Sequence, residues 1–207
     1  QFTNLLLHWQ HRHPSTQESG ETGLHSMLEK MQGFSANSEL WEDDIIRHRL
    51  KTYDPGILRA ISARGEIICI GTSSGKSQWI FRGDGAYYVQ EKEKLLEVVT
   101  PSAKELYEFL KHNGASFLSD IRDGISFSLA ALNRSIAELF WAGLITNDVI
   151  DEALSVKRFR SKDDSPLPAE RIALTNPRHN PLRYTAMRSV RKALRSTPGW
   201  NGRWSVI

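Results

Sequence analysis

Apolar residues recur at helical spacing through the first third of the chain, and then the period changes. Phe2, Leu5, Leu6 and Trp9 fall on one face of a short helix over 1–10. A polar loop, RHPSTQESGETG, leads to a second helix in LHSMLEKMQGF that Gly33 stops. SANSELWEDDIIRHRL opens with capping residues, Asn37 or Ser38, and carries Leu40, Trp41, Ile45 and Leu50 on an approximately helical face. YDPGILRAISARGE reads as a further helix, starting after Asp54 with Pro55 at its first position. From Glu66 the spacing shortens, and EIICIGTSSGKSQWIFRGDGAYYV reads as two or three strands joined by glycine turns at 71–75 and 83–85.

Helices followed by a β-hairpin are the order of a winged helix-turn-helix, which makes GTSSGKS the tip of a wing. The same loop ends in Gly-Lys-Ser and invites comparison with a phosphate-binding loop. That loop needs four residues between its glycines and a helix after them. Here three separate Gly71 from Gly75, and QWIF continues as strand, so no nucleotide site is expected. A second unit repeats the order. PSAKELYEFLKHNG is a helix with Ser102 as its cap, ASFLSDIRDG a short one, and SLAALNRSIAELFWAGL takes the place of a recognition helix before a strand at 144–146. On that helix Leu132, Ile136, Leu139 and Phe140 face a core, and Asn133 and Arg134 are the candidates for a backbone phosphate.

Charge changes the picture of the last third. The net charge is +3, yet residues 151–207 carry 12 Lys/Arg against 5 Asp/Glu, or +7, leaving −4 on the rest. KRFRSKDDSPLPAER reads as an exposed basic linker, and NPLRYTAMRSVRKALRS as a helix on which Arg188, Arg191, Lys192 and Arg195 share surface suited to tracking phosphates. Arg47, Arg49 and Lys76 add cations at the end of the WEDDIIRHR segment and at the wing tip. The single cysteine, Cys69, permits no internal disulfide and reads as a buried thiol in a reducing, cytoplasmic setting. No apolar run reaches the ~18 residues of a membrane span. His8, His11 and His13 are close in sequence without matching cysteine or carboxylate spacing, so no metal is expected. Glu42, Asp43 and Asp44 occupy successive positions and point apart, whereas a general acid/base pair must converge. Six tryptophans are core candidates, and Trp41, with acids after it and RHRLK at the end of its segment, is also the candidate platform for an unpaired base.

Several stretches together resemble one family: LLLHWQ, GLHSMLEKMQGFSANSELWEDDIIRHRLKTYDPGILRAISARGEIICIG, GASFLSDI, ELFWAGLITND and the closing GRWSVI. They are similar to the region beyond the motor domains of Lhr-type (large helicase-related) superfamily 2 helicases, over most of the chain and in the right order. The resemblance implies an α+β, mainly helical fold. It divides into an N-terminal helical segment (1–33), a first winged-helix module (34–100), a second (101–150), and a basic segment (151–207) entering a truncated β-barrel. It implies a DNA-binding accessory region of an ATP-dependent 3′–5′ helicase that grips single-stranded DNA, with an RNA–DNA hybrid as a further partner. The RecA-like motor of the same polypeptide, with its ATP and Mg, would be the other partner. By order along the chain, Trp41 matches the family aromatic that stacks on a base. The ATPase motifs are absent, so the chain alone is expected to bind DNA and not to hydrolyse ATP, with no cofactor of its own. Starting at Gln1 inside a helical pattern and ending on NGRWSVI, it reads as a piece of a longer protein. The competing readings are a tandem winged-helix DNA glycosylase, whose Gln-x-Gln signature HWQHRH does not supply, and a winged-helix transcription regulator preferring duplex.

Overall fold

A computed structural model describes residues 2–73, 75–88, 92–163 and 201–207. Helix α1 (Phe2–Trp9) and a short turn lead to strand β1 (Glu18–Ser19) and helix α2 (Gly20–Met31). Then come β2 (Ala36–Asn37), a π-helical turn (Trp41–Ile46), β3 (Leu50–Thr52), α3 (Pro55–Ala63), β4 (Ile67–Ser73) and β5 (Lys76–Phe81). Two short helices, α4 (Gly85–Tyr88) and α5 (Lys92–Val98), connect to α6 (Pro101–Asn113), β6 (Ser116–Phe117), α7 (Leu118–Gly124), α8 (Leu129–Trp141) and β7 (Ile145–Asn147). Helix α9 (Ile150–Asp163) and strand β8 (Arg203–Val206) follow.

The two winged units have the same topology. In the first, the sheet order is β2-β5-β4; in the second it is β6-β8-β7, the last strand lying centrally and pairing antiparallel with both neighbours. GRWSVI is therefore the central strand of the second sheet. The expected entry into a β-barrel is not confirmed: among the described residues β8 has a partner on each side within a three-stranded wing. Helix α2 belongs to the first unit: Leu24, Met27 and Leu28, spaced for one helix face, are buried in the core with Trp79 of β5 and Leu58 of α3. A boundary at residue 34 would separate this helix from the sheet beside it.

Local signals placed several helix ends. Asp54 caps α3, accepting from the Gly56 amide at 2.8 Å, with Pro55 in the first turn. Ser128 caps α8 through the Ala131 amide at 3.2 Å. Helix α6 is capped by Thr100 rather than Ser102: Pro101 takes the first position, and the Glu138 carboxylate accepts from both the Thr100 amide (2.8 Å) and its hydroxyl (2.7 Å).

The units meet through backbone. A Cβ built on Gly71 would lie 2.3 Å from the Phe140 carbonyl oxygen and 2.9 Å from the Trp141 Cα, so only glycine fits there. Gly143, at φ +74°, closes the other side of the contact, where a Cβ would meet the Gly71 carbonyl at 2.9 Å. The Thr146 hydroxyl donates to the Cys69 carbonyl at 2.8 Å beside it. Gly71, the first glycine of the phosphate-loop look-alike, is thus a packing residue. Burial, opposed by a hydrogen bond from Ser77, pushes the Cys69 thiol up to about 12, so the buried thiol stays protonated. Arg59 of α3 reaches across to Asp151 of α9 at 2.6 Å, and Arg203 of β8 to Asp148 at 2.9 Å.

Gly71→Ala forces these backbones apart. The expected cost is about 2 kcal/mol, a Tm drop of roughly 4–8 °C by calorimetry, and an unchanged Tm would contradict the contact.

Candidate nucleic-acid interface

In a winged helix that reads duplex, the third helix of the unit lies free to enter the major groove. The third helix of the second unit is not free here, and that of the first carries an ion pair to the second. Helix α8 buries eight residues, among them Leu132, Ile136, Leu139 and Phe140, on α6, α9 and β4. Asn133 is 6% exposed, which corrects its expected role as a phosphate contact; Arg134, its neighbour, faces solvent. On α3, Arg59 is held between Asp151 and Glu42, the latter at 3.4 Å. The Asp151 hydrogen bond, chiefly, raises the Arg59 pKa above its ordinary value. Glu42 also accepts from the Tyr53 hydroxyl at 2.9 Å, and burial together with this bond lifts the Tyr53 pKa well above the usual phenol range.

Trp41 is fully buried. Its indole N–H donates to the Ser77 carbonyl at 3.0 Å, and its ring stacks on Trp79 with centroids 5.4 Å apart. No ring face is open to a base, so the expected stacking platform is a core residue that ties the π-helical turn to β5. Asp43 and Asp44 point outward, to Arg47 at 3.7 Å and His48 at 3.2 Å, while Glu42 turns inward; the three acids diverge.

Cations remain on the face built by α1, the end of α2 and the segment 47–51. Arg47 is exposed, and an exposed pairing such as its contact with Asp43 contributes at most ~1 kcal/mol and exchanges readily for a phosphate. Arg49, expected on the surface, is 8% exposed: its Nη1 donates to the Ile45 carbonyl at 2.9 Å, and its Nε has no partner among the described residues. Burial, and then the Arg12 guanidinium, lower its pKa, with Asp44 opposing. Arg12 and Lys30 are exposed beside it, and Lys51 is exposed two residues further along. Lys76 lies exposed at the first wing's turn. Arg188, Arg191, Lys192 and Arg195 lie outside the described residues.

Sequence reasoning did not single out Lys30, Arg12 and Trp9. Trp9 is 74% exposed at the end of α1 and borders the same cavity as Lys30 and Arg49. The signal was present in the HRH and RHRLK runs, but α2 had to be folded beside them to bring Lys30 in. The His8 and His13 rings stack at 4.0 Å while His11 turns to Lys30, so the three histidines do not converge on one point. In the GTSSGKS loop, Thr72 shares a hydroxyl contact with Ser35 at 2.5 Å and β5 follows directly. That geometry does not fit a nucleotide phosphate, which needs a helix N-terminus. Among the described residues no helix is long and apolar enough to cross a membrane.

Comparison with known proteins gives a consistent pattern. Residues 1–82 match the winged-helix domain of large helicase-related proteins. Over its whole length the chain is 28% identical to a protein of Mycolicibacterium smegmatis named Lhr helicase/probable uracil glycosylase, and spans 14% of that protein. Across 91% of its length it is 26% identical to an Escherichia coli protein named Lhr helicase/uracil glycosylase, of which it spans 13%. The matched domain ends at 82, where β5 closes the first sheet.

Trp41→Phe keeps one aromatic ring, leaves a small cavity and deletes the hydrogen bond to Ser77. It is expected to lower Tm while leaving single-strand affinity within about twofold. A selective loss of affinity at unchanged Tm would restore Trp41 as a base platform.

Proposed function

We propose that this chain, which corresponds to a piece of the C-terminal region of an Lhr-type helicase, is a grip for single-stranded nucleic acid. It serves a motor located elsewhere in the same polypeptide. The observation that carries this reading is the fate of the two third helices. Helix α8 is committed to packing between the units and Arg59 of α3 is tied to Asp151, which disfavours major-groove readout of duplex, while Arg49 and Lys30, with Arg12 close by, lie beside the exposed Trp9. A cationic track with an aromatic beside it is the physical recipe for holding an unpaired strand without reading its sequence.

In this reading the chain supplies affinity and direction. The 3′–5′ motor, with ATP and Mg, supplies the work. Single-stranded DNA is the expected ligand and an RNA–DNA hybrid a further one, within the cytoplasm. The regulator reading loses ground because it requires a free recognition helix. The glycosylase reading is the weaker one for this chain, since Glu42 is engaged by Tyr53 and Arg59, and Asp43 and Asp44 face away from it.

Fluorescence anisotropy with a labelled single strand and its duplex, at ~50 and ~200 mM salt, tests the proposal. Tighter binding to the single strand is expected, falling steeply with salt. Trp9→Ala should weaken it by about 1–3 kcal/mol for a lost base stack. Equal or tighter duplex binding would refute the grip and favour the regulator.

A further inference from the structure

A cavity of about 140 Å³ lies between the end of α1, the last turns of α2 and the start of β3. Its walls are Trp9, Gln10, His11, Lys30 and Arg49, over Met27. At ~30 Å³ per water it holds roughly four waters, which suits one phosphate group with some of its hydration.

The donors in this cavity outnumber their acceptors. Within the described residues, the Arg49 guanidinium is engaged only through Nη1, by the Ile45 carbonyl at 2.9 Å, and its Nε is buried without a partner. Lys30 carries three N–H donors and no acceptor, so its contact with His11 requires the His11 Nε2 to accept. That leaves donors of Lys30 open. Arg12 stands close enough to add like charge to Arg49. Among the described residues the acid acting on Arg49 is Asp44, itself paired with His48 at 3.2 Å, and no carboxylate lines the cavity. His11, at φ +54° and buried, is held in a conformation uncommon for a side chain larger than glycine, which turns its ring towards Lys30 at the cavity wall. A buried arginine normally finds a carboxylate; among the described residues this one has none hydrogen-bonded to it, and it lines the cavity.

We infer that the cavity is an oxyanion site that takes one backbone phosphodiester of a single-stranded nucleic acid, with Arg49 and Lys30 as its donors. The planar fork of Arg49 suits two oxygens of a phosphate, and Lys30 closes from the side as a point charge. Trp9 borders the same cavity, placing a ring beside the bound phosphate. The inference rests on the strand-binding reading above and adds the place where the strand is anchored.

The test follows the Arg49 Nε–H resonance by ¹⁵N NMR of the full chain, titrated with short oligothymidylate. An oligomer of the same sequence with a neutral methylphosphonate backbone and an oligo-glutamate peptide are titrated in parallel. The resonance is expected to shift saturably with the phosphodiester strand and with neither of the others. Lys30→Gln, an exposed substitution that spares the fold, should weaken the strand and lower the slope of log K against log salt by about 0.7, one single-strand phosphate contact. If the strand binds by anisotropy with Arg49 unmoved, or with Lys30→Gln unchanged in affinity, the cavity is not its anchor and the grip stands without it. If oligo-glutamate shifts Arg49 as strongly as the strand, the cavity takes a carboxylate and the inference fails. If no strand binds at all, this inference and the grip fail together.

Discussion

The contact on which the rest depends is the approach of Gly71 to the backbone of Phe140 and Trp141. It has no side chain on the Gly71 side, and the Phe140 carbonyl sits where any Cβ would be. It fixes the first wing hairpin against the last turn of α8 and so makes two winged units behave as one body. With that geometry set, α8 is buried on both flanks, α9 lies against α8 and β4, and Arg59 of α3 finds Asp151. The surface that the third helix of the second unit would present to duplex becomes part of the interior. What remains open on the first unit is the opposite side, where α1, the end of α2 and β3 meet.

This explains how a fold usually associated with reading base pairs is suited to a different task. A single strand offers no groove to enter; it offers phosphates at regular intervals and unstacked bases. Exposed cations on short segments, an aromatic on a helix end and a buried arginine at a cavity would meet those features. In the proposed reading such a site discriminates little among sequences, which would suit a motor that holds whatever strand it travels on.

Much of the fold was legible in the sequence because its signals are local. Asp54-Pro55 and Ser128 cap their helices where the pattern put them, the change of period at Glu66 marks the first wing, and Trp141 sits in the core. The misses are non-local. The partners of GRWSVI lie at 116–117 and 145–147, so nothing near that strand reveals that it is the middle of a sheet. Trp41 was ambiguous because its burial is decided by Trp79 and the Ser77 carbonyl, more than thirty residues away in sequence. Asn133 looked exposed by its polarity, yet α8 is covered around most of its circumference by elements the helix itself does not encode. Trp9 carried the opposite error: its spacing suited a buried face, and among the described residues α1 buries none of its side chains.

The central claim is that the strand runs over the α1–α2–β3 face and not along the recognition helices. Ultraviolet cross-linking of the chain to a halogenated single strand, with the linked peptides identified by mass spectrometry, tests it most directly. The account predicts cross-links within 9–12, 30 and 47–51. Cross-links concentrated on α8 around Arg134, or on the wing turn at Lys76, with the first face untouched, would contradict it.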